Sequence, residues 1–339
     1  MVRTIPLDPV MGVDHRGLRA GRLVGRRLTT AVPLAILISL AVFALAAASP
    51  FDPLDAYLGA HGDSFTETQR ADLRNRLNLD QSWFGAWWSW LGDLLRGELG
   101  ESRSYHQPVT QVLAERLPWS LLLGVLGGVV ALSLGAVLGA WAGLRRGGLA
   151  DRAISAGAIV LQAVPPFVLA LGAVLLFALT LRWFPAAGLT DPGRGVDAAS
   201  TARHLILPAT LLGVTQLPWL VLGLRETVAR SLDGDAIKGA KARGLPWRVI
   251  AFRHVLPVAI VPFLTLCGAR LPELVVGATV VETIFSWPGL GSATVEAARA
   301  LDFPLLAIMT VLITALVLLG NLAADAAGVL IDPRIDADG

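Results

Sequence analysis

Six stretches of this chain are too long and too apolar to be folded comfortably in water. They cover residues 28–48, 119–143, 153–181, 205–224, 255–281 and 303–330. A helix of about 20 predominantly apolar residues crosses the ~30 Å hydrocarbon core of a bilayer. Lipid offers the backbone no hydrogen-bond partner, so runs of this kind close their own hydrogen bonds as helices. The chain is therefore expected to be an all-α polytopic membrane protein with six transmembrane helices. Composition agrees, with 16% of residues charged against roughly 25% in soluble domains. Run 28–48 follows Arg16, Arg19, Arg22, Arg26 and Arg27, as a signal core would. It is longer than the ~7–15 residues of such a core, and it reads as an uncleaved helix. Pro165-Pro166 and Pro218 are expected to interrupt the third and fourth spans.

Charge is distributed unevenly between the spans. Arg145, Arg146 and Arg152 fill the link after the second span. Arg225, Arg230, Lys238, Lys241, Arg243, Arg248 and Arg253 fill the link after the fourth. Between residues 49 and 118, ten acids outnumber six arginines, and residues 282–302 carry only Arg299. Lys and Arg near the spans mark the cytoplasmic side. That rule places the N-terminal segment 1–27, link 144–152, loop 225–254 and tail 331–339 in the cytoplasm, with segment 49–117 outside. Four of the ten tryptophans (Trp83, Trp87, Trp88 and Trp90) gather in that outer segment, as residues anchored at headgroup level do.

Several chemistries find no support in the residues. A phosphate-binding P-loop needs a lysine behind its glycines, and the only two lysines, Lys238 and Lys241, lack that pattern. The histidines (His15, His61, His106, His204 and His254) are scattered, so neither a metal nor another cofactor is expected. No nucleophile motif of the G-x-S-x-G kind occurs. The single cysteine, Cys267, lies in an apolar run and reads as a small core residue. The chain is not expected to be an enzyme, and nothing in it suggests nucleic-acid binding.

The loop between the fourth and fifth spans is the most structured polar stretch. Asp233-Gly234-Asp235 offers N-cap candidates for a short helix, read here as 236–243. Ala236, Gly239 and Ala240 are small residues at i, i+3 and i+4, so that face admits close approach by a partner, whereas Lys238, Lys241 and Arg243 point elsewhere. Gly244 ends the helix through positive φ, and Pro246 prevents its continuation. The chain then returns to the membrane at Leu256-Pro257.

These residues resemble the cytoplasmic loop of ATP-binding-cassette (ABC) importer permeases. More narrowly, AIKGAKARGL (236–245) is similar to the first permease subunit of dipeptide, oligopeptide and nickel importers. That family usually has a tyrosine or similar residue where Ala236 stands. LGDLLRGELGES (91–102), VLAERLPWSL (112–121), HLILPAT (204–210), VVETIFSWPGLG (280–291) and LIDPR (330–334) carry the same resemblance, in order, over nearly the whole chain. The resemblance implies a type-I importer permease fold, with a five-helix domain over 118–330 and an extra first helix wrapped outside it. It also implies a coupling helix that docks in a separate ATPase subunit, with Asp235, Ala236, Gly239, Ala240, Arg243, Gly244 and Pro257 in the coupling loop. The partners implied are a homologous second permease, two cytoplasmic ATPases, an extracytoplasmic substrate-binding protein and membrane lipid.

Arg270 and Glu273 lie within the fifth apolar run, where ionisable groups are costly and face a cavity or each other. Their i,i+3 spacing permits a local ion pair. The other reading is that they line the translocation pathway and meet a charged substrate such as a peptide terminus. Glu282 is a further pathway candidate, near its outer end. Import of peptides leads the functional reading; a nickel or metal-chelate importer and an ion-coupled secondary transporter are the alternatives.

Overall fold

The computed structural model describes residues 14–50, 52–58, 65–76, 81–193 and 195–331. Residues 1–13 of the expected N-terminal segment and 332–339 of the expected tail, Arg334 among them, lie outside these. Helix α1 (Asp14–Ala47) carries the first apolar run. Three short helices follow: α2 (Pro53–Leu58), α3 (Glu67–Arg76) and α4 (Trp83–Leu95). An antiparallel hairpin then pairs β1 (Glu101–Ser102) with β2 (Gln107–Pro108). Helix α4 begins where Ser82 Oγ accepts the Gly85 N–H at 3.2 Å. It buries Trp87 and Trp90 against α1, with the Trp90 ring 5.6 Å from Phe43 and the Trp87 indole N–H donating to Ser39 Oγ at 3.1 Å. Trp83, Phe84 and Trp88, on its other side, remain exposed.

The remainder of the chain is helical bundle. Helices α5 (Val109–Leu144), α6 (Leu149–Ala163) and α7 (Pro166–Ala173) are followed by a π-helical extension, Val174–Thr180. Next come α8 (Ala198–Leu232), α9 (Asp235–Ala242), a single turn α10 (Trp247–Val249) and a second π segment, Ile250–Val255. Helices α11 (Leu256–Ala269), α12 (Leu271–Ile284), α13 (Leu290–Arg299) and α14 (Phe303–Ile331) complete it.

The closest packing lies between α5 and α8. Gly127, Ala131, Gly135, Gly139 and Gly143 repeat every fourth residue along one stripe of α5, and all five are buried. A Cβ at Gly135 would fall 2.8 Å from Leu220 Cβ, and one at Gly143 would fall 2.6 Å from Val228 Cβ. Where lipid is as apolar as leucine, helices associate by close van der Waals contact, and small residues permit it. At the other end of the bundle, the fully buried Asp302 ties the hairpin to the start of α14. Its carboxylate accepts hydrogen bonds from Ser102 Oγ (2.6 Å), Ser104 N (2.9 Å), Ser104 Oγ (2.9 Å) and Leu305 N (3.3 Å).

One expectation is met in part and two need correction. First, four described helices are long and apolar enough to cross a membrane: Val109–Leu144, Ala198–Leu232, Trp247–Ala269 and Phe303–Leu322. The pair Leu149–Ala163 and Pro166–Thr180, bent by 101°, adds a fifth if counted as one span. Ala31–Ala47 of α1 is a further apolar helical stretch of 17 residues. Second, Pro165-Pro166 does break its helix, but Pro218 leaves α8 continuous from 198 to 232. In α8, 67% of the apolar window is buried between neighbours that hold its course. Third, the run 255–281 is two helices rather than one. Pro272 has no N–H for the Gly268 carbonyl and its ring crowds that turn, so α11 ends at Ala269 and α12 restarts at Leu271.

Candidate functional site

Helix α9 lies in the chain between α8 and α10 and packs against the π segment Ile250–Val255. Its N-cap is Gly234, with no side-chain cap. Asp233, a cap candidate by sequence, instead accepts from Arg146 Nη1 at 2.7 Å, tying α9's entry to the α5–α6 link. Asp235 sits in the first turn, where a carboxylate complements the helix dipole, and pairs with Lys238 at 2.9 Å on the exposed side. The end of the helix is a Schellman motif. Gly244 takes φ +73°, its N–H donates to Lys241 O at 2.9 Å, and Leu245 N–H donates to Ala240 O at 3.2 Å.

The face of small residues is divided by the structure. Ala240 is fully buried and, with Ile237, packs into a core shared with Leu220, Leu224, Val228, Ile250 and Val255. Ala236 and Gly239 are exposed, as is Arg243. A Cβ at Gly239 would meet no atom within 4 Å. The outward small face is thus Ala236 with Gly239, one turn apart, and Ala240 belongs to the anchor that fixes the helix to its own chain. Pro257 lies away from this face, in the first turn of α11 behind the π segment.

A buried ion pair joins the first turn of α6 to α8. Asp151, 3% exposed, accepts from Arg225 Nε (2.8 Å) and Nη2 (2.9 Å) in the bidentate geometry favoured by guanidinium. The Gly147 N–H (2.8 Å) and Ser155 Oγ (3.2 Å) complete its shell. Sequence reading counted Arg225 only as a positive charge and passed over Asp151. The one available signal was an acid placed inside a basic link.

A separate cavity of ≈ 380 Å³ opens where α6 breaks into α7. Val164 and Pro166 line it from the break, Thr215, Gln216 and Trp219 from α8, and Glu273 from α12. Arg270 caps the α11–α12 junction and pairs with Glu273, while its guanidinium carbon stands 4.0 Å from the centroid of the Trp219 ring. Sequence reading picked out Arg270 and Glu273 but not Gln216, which no motif marks.

Glu282 is not brought to this cavity. It lies nine residues after Glu273 on α12, about 13 Å along the axis, and is 1% exposed. Its carboxylate accepts from Ser120 Oγ (2.6 Å) and Ser292 N (3.0 Å), and Ser120 Oγ in turn accepts from Leu290 N (2.6 Å). A Cβ at Gly289 would overlap the carboxyl group at 2.2 Å. The Trp287 indole, fully buried, donates to Trp119 O at 3.1 Å. The stretch 282–292 is therefore a packed knot that joins α12, α13 and α5. At its rim, the Tyr105 hydroxyl donates to Glu296, and burial together with that hydrogen bond pushes the phenol above its ordinary range.

Comparison with known proteins follows this geometry. Residues 135–337 match the family described as binding-protein-dependent transport system inner membrane component. A probable peptide ABC transporter permease of Sinorhizobium fredii is 33% identical over 93% of this chain and 99% of its own length. The oligopeptide transport system permease AppB of Bacillus subtilis is 30% identical over 92% and 98%. The di/tripeptide transport system permease DppB of Pseudomonas aeruginosa is likewise 30% identical over 92% and 98%.

Proposed function

This chain belongs to the binding-protein-dependent transport system inner membrane components, the permease subunits of ABC importers, and on that premise we propose that it imports peptides. It contributes half of the translocation pathway, a separate ATPase drives it, and a substrate-binding protein delivers the cargo. The three relatives described above are all named for peptides, which favours peptides over nickel or a metal chelate.

In this reading α1 is the first of six spans, residues 118–330 form the five-helix type-1 domain, and the 225–254 loop couples it to the ATPase. The excess of Lys and Arg in links 144–152 and 225–254 supports cytoplasmic termini, an outer segment 49–117 and a cytoplasmic tail 331–339. A homologous second permease completes the pathway, so the membrane unit is a heterodimer served by two ATPases.

The observation that carries the proposal is α9. It is a short helix fixed to the bundle by Ile237 and Ala240 while Ala236 and Gly239 face outward. A rigid anchor with an open small-residue face suits a helix that receives force in a partner's groove. Arg146–Asp233 and Asp151–Arg225 give a route for that force into the α5–α6 link and α8.

Reconstitution of the permease pair with its ATPases and binding protein in liposomes tests the reading. Peptide uptake should require ATP and the ATPase subunits. Uptake driven by an ion gradient with no ATPase present would overturn it in favour of a secondary transporter.

A further inference from the structure

The cavity at the α6–α7 break presents an unusual group, a buried amide oxygen with nothing to bind. Gln216 is 6% exposed and lines this cavity. The orientation of its amide is fixed by its neighbour. Thr215 Oγ donates its one hydrogen to Leu212 O at 2.7 Å, so it has only lone pairs left for Gln216. Gln216 Nε2 therefore donates to Thr215 Oγ, at 3.2 Å, and Oε1 is left without a hydrogen-bond partner. An unmet buried acceptor destabilises a fold, and polar groups kept at membrane depth mark pathways for substrates.

Gln162, Thr215 and Glu273 are the other polar side chains around the cavity, and Glu273 is the charged one. Glu273 lines it from α12 with one carboxylate oxygen engaged by Arg270 and the other open. Arg270 pairs with Glu273 and stands over the Trp219 ring, its Nε–H is buried without a partner, and it is absent from the cavity wall. Helix α6 ends here at Val164, so its last-turn carbonyls add partial negative charge. Helix α7 opens at Pro166, which has no N–H to offer. Leu161, Leu169, Val276 and Val280 supply apolar walls. The complement of such a site is a compact cation rich in N–H donors, on an otherwise apolar stem.

We infer that this cavity is a subsite for the α-ammonium group of the translocated peptide, which donates to Gln216 Oε1 and pairs with Glu273. The inference rests on the reading of the chain as a peptide permease. It assigns the amino terminus of the cargo to this chain's half of the pathway.

The test uses the assembled transporter in nanodiscs without the binding protein, its other subunits free of reactive cysteines. Cys267→Ser removes the native thiol of this chain, and Val276→Cys places a reporter on the exposed rim of the cavity. Labelling by a thiol reagent is then followed against rising tri-alanine or N-acetyl-tri-alanine. Tri-alanine should protect the reporter, and the acetylated peptide should need about tenfold more. Gln216→Leu and Glu273→Gln should each raise the half-protecting tri-alanine concentration about tenfold, and Gln216→Glu should restore it. If Gln216→Leu fails to assemble, Glu273→Gln decides, because the Glu273 side chain is 55% exposed and carries little of the packing.

Equal protection by the two peptides, or protection unchanged by both substitutions, overturns the subsite. ATP-driven peptide uptake by the complete system is measured in parallel. Normal uptake with protection unaltered in Glu273→Gln sinks the subsite alone, whereas absence of any peptide uptake by the unmodified system sinks the permease reading itself.

Discussion

Arg225→Leu should be the more damaging half of an asymmetric pair of substitutions. It strands Asp151, which is 3% exposed, with only the Gly147 N–H and Ser155 hydroxyl as partners. Leaving a buried charge uncompensated costs about 3–5 kcal/mol. Asp151→Asn leaves Arg225 with Glu226, 3.5 Å away, and with a side chain that is 27% exposed. The loss then approaches that of a charge-assisted hydrogen bond, about 1.5–3 kcal/mol. The double variant Arg225→Leu/Asp151→Asn removes both charges and keeps an amide oxygen for Gly147, so it should be more stable than Arg225→Leu alone. Unfolding of the purified permease in detergent, followed by tryptophan fluorescence across a denaturant series, gives the four stabilities of the cycle. If Arg225→Leu lies within about 0.5 kcal/mol of the parent, or the double variant is worse than that single one, the ion pair does not join α8 to the start of α6 as argued.

Two further substitutions probe contacts that the backbone makes possible. Gly289→Ala drives a methyl group into the Glu282 carboxyl, 2.2 Å away. The Ser120–Glu282–Ser292 knot must open, destabilising the protein by about 1–3 kcal/mol in the same unfolding assay. Gly139→Leu places a branched side chain where even a Cβ would stand 2.9 Å from Leu224 Cβ and from the Val221 carbonyl. Separation of α5 from α8 should lower the yield of folded permease on size-exclusion chromatography, while Gly124→Leu, with no atom within 4 Å of its Cβ, should leave the yield unchanged.

What was legible in the sequence was what depends on local pattern. The double proline at 165–166 and the Gly244 stop in α9 are each read within one turn of chain, and each is where the sequence places it. Pro218 and Pro272 show the limit. The two prolines look alike in sequence, but α8 runs unbroken through Pro218, with 67% of its apolar stretch buried, whereas the α11–α12 junction yields. Contacts between distant segments left no local mark. Asp151 meets Arg225 across 74 positions, and Glu282 meets Ser120 across 162. The α5 stripe from Gly127 to Gly143 is a repeat of small residues every fourth position, and its meaning depends on knowing that α8 lies against it. In α9 the sequence showed three small residues at helical spacing, but only the fold shows that Ala240 turns inward and Gly239 outward.

The central claim is that force enters this protein at the outward face of α9. Gly239→Trp tests it directly, since the chain itself leaves that position open and a bulky side chain there disturbs only what docks against it. In the reconstituted importer, ATP hydrolysis should persist while ATP-driven peptide uptake falls about tenfold or more, and Lys238→Gln should stay within about twofold of the parent. Uptake at the parental rate in Gly239→Trp would contradict the account, because α9 would then be an exposed loop helix with no part in coupling.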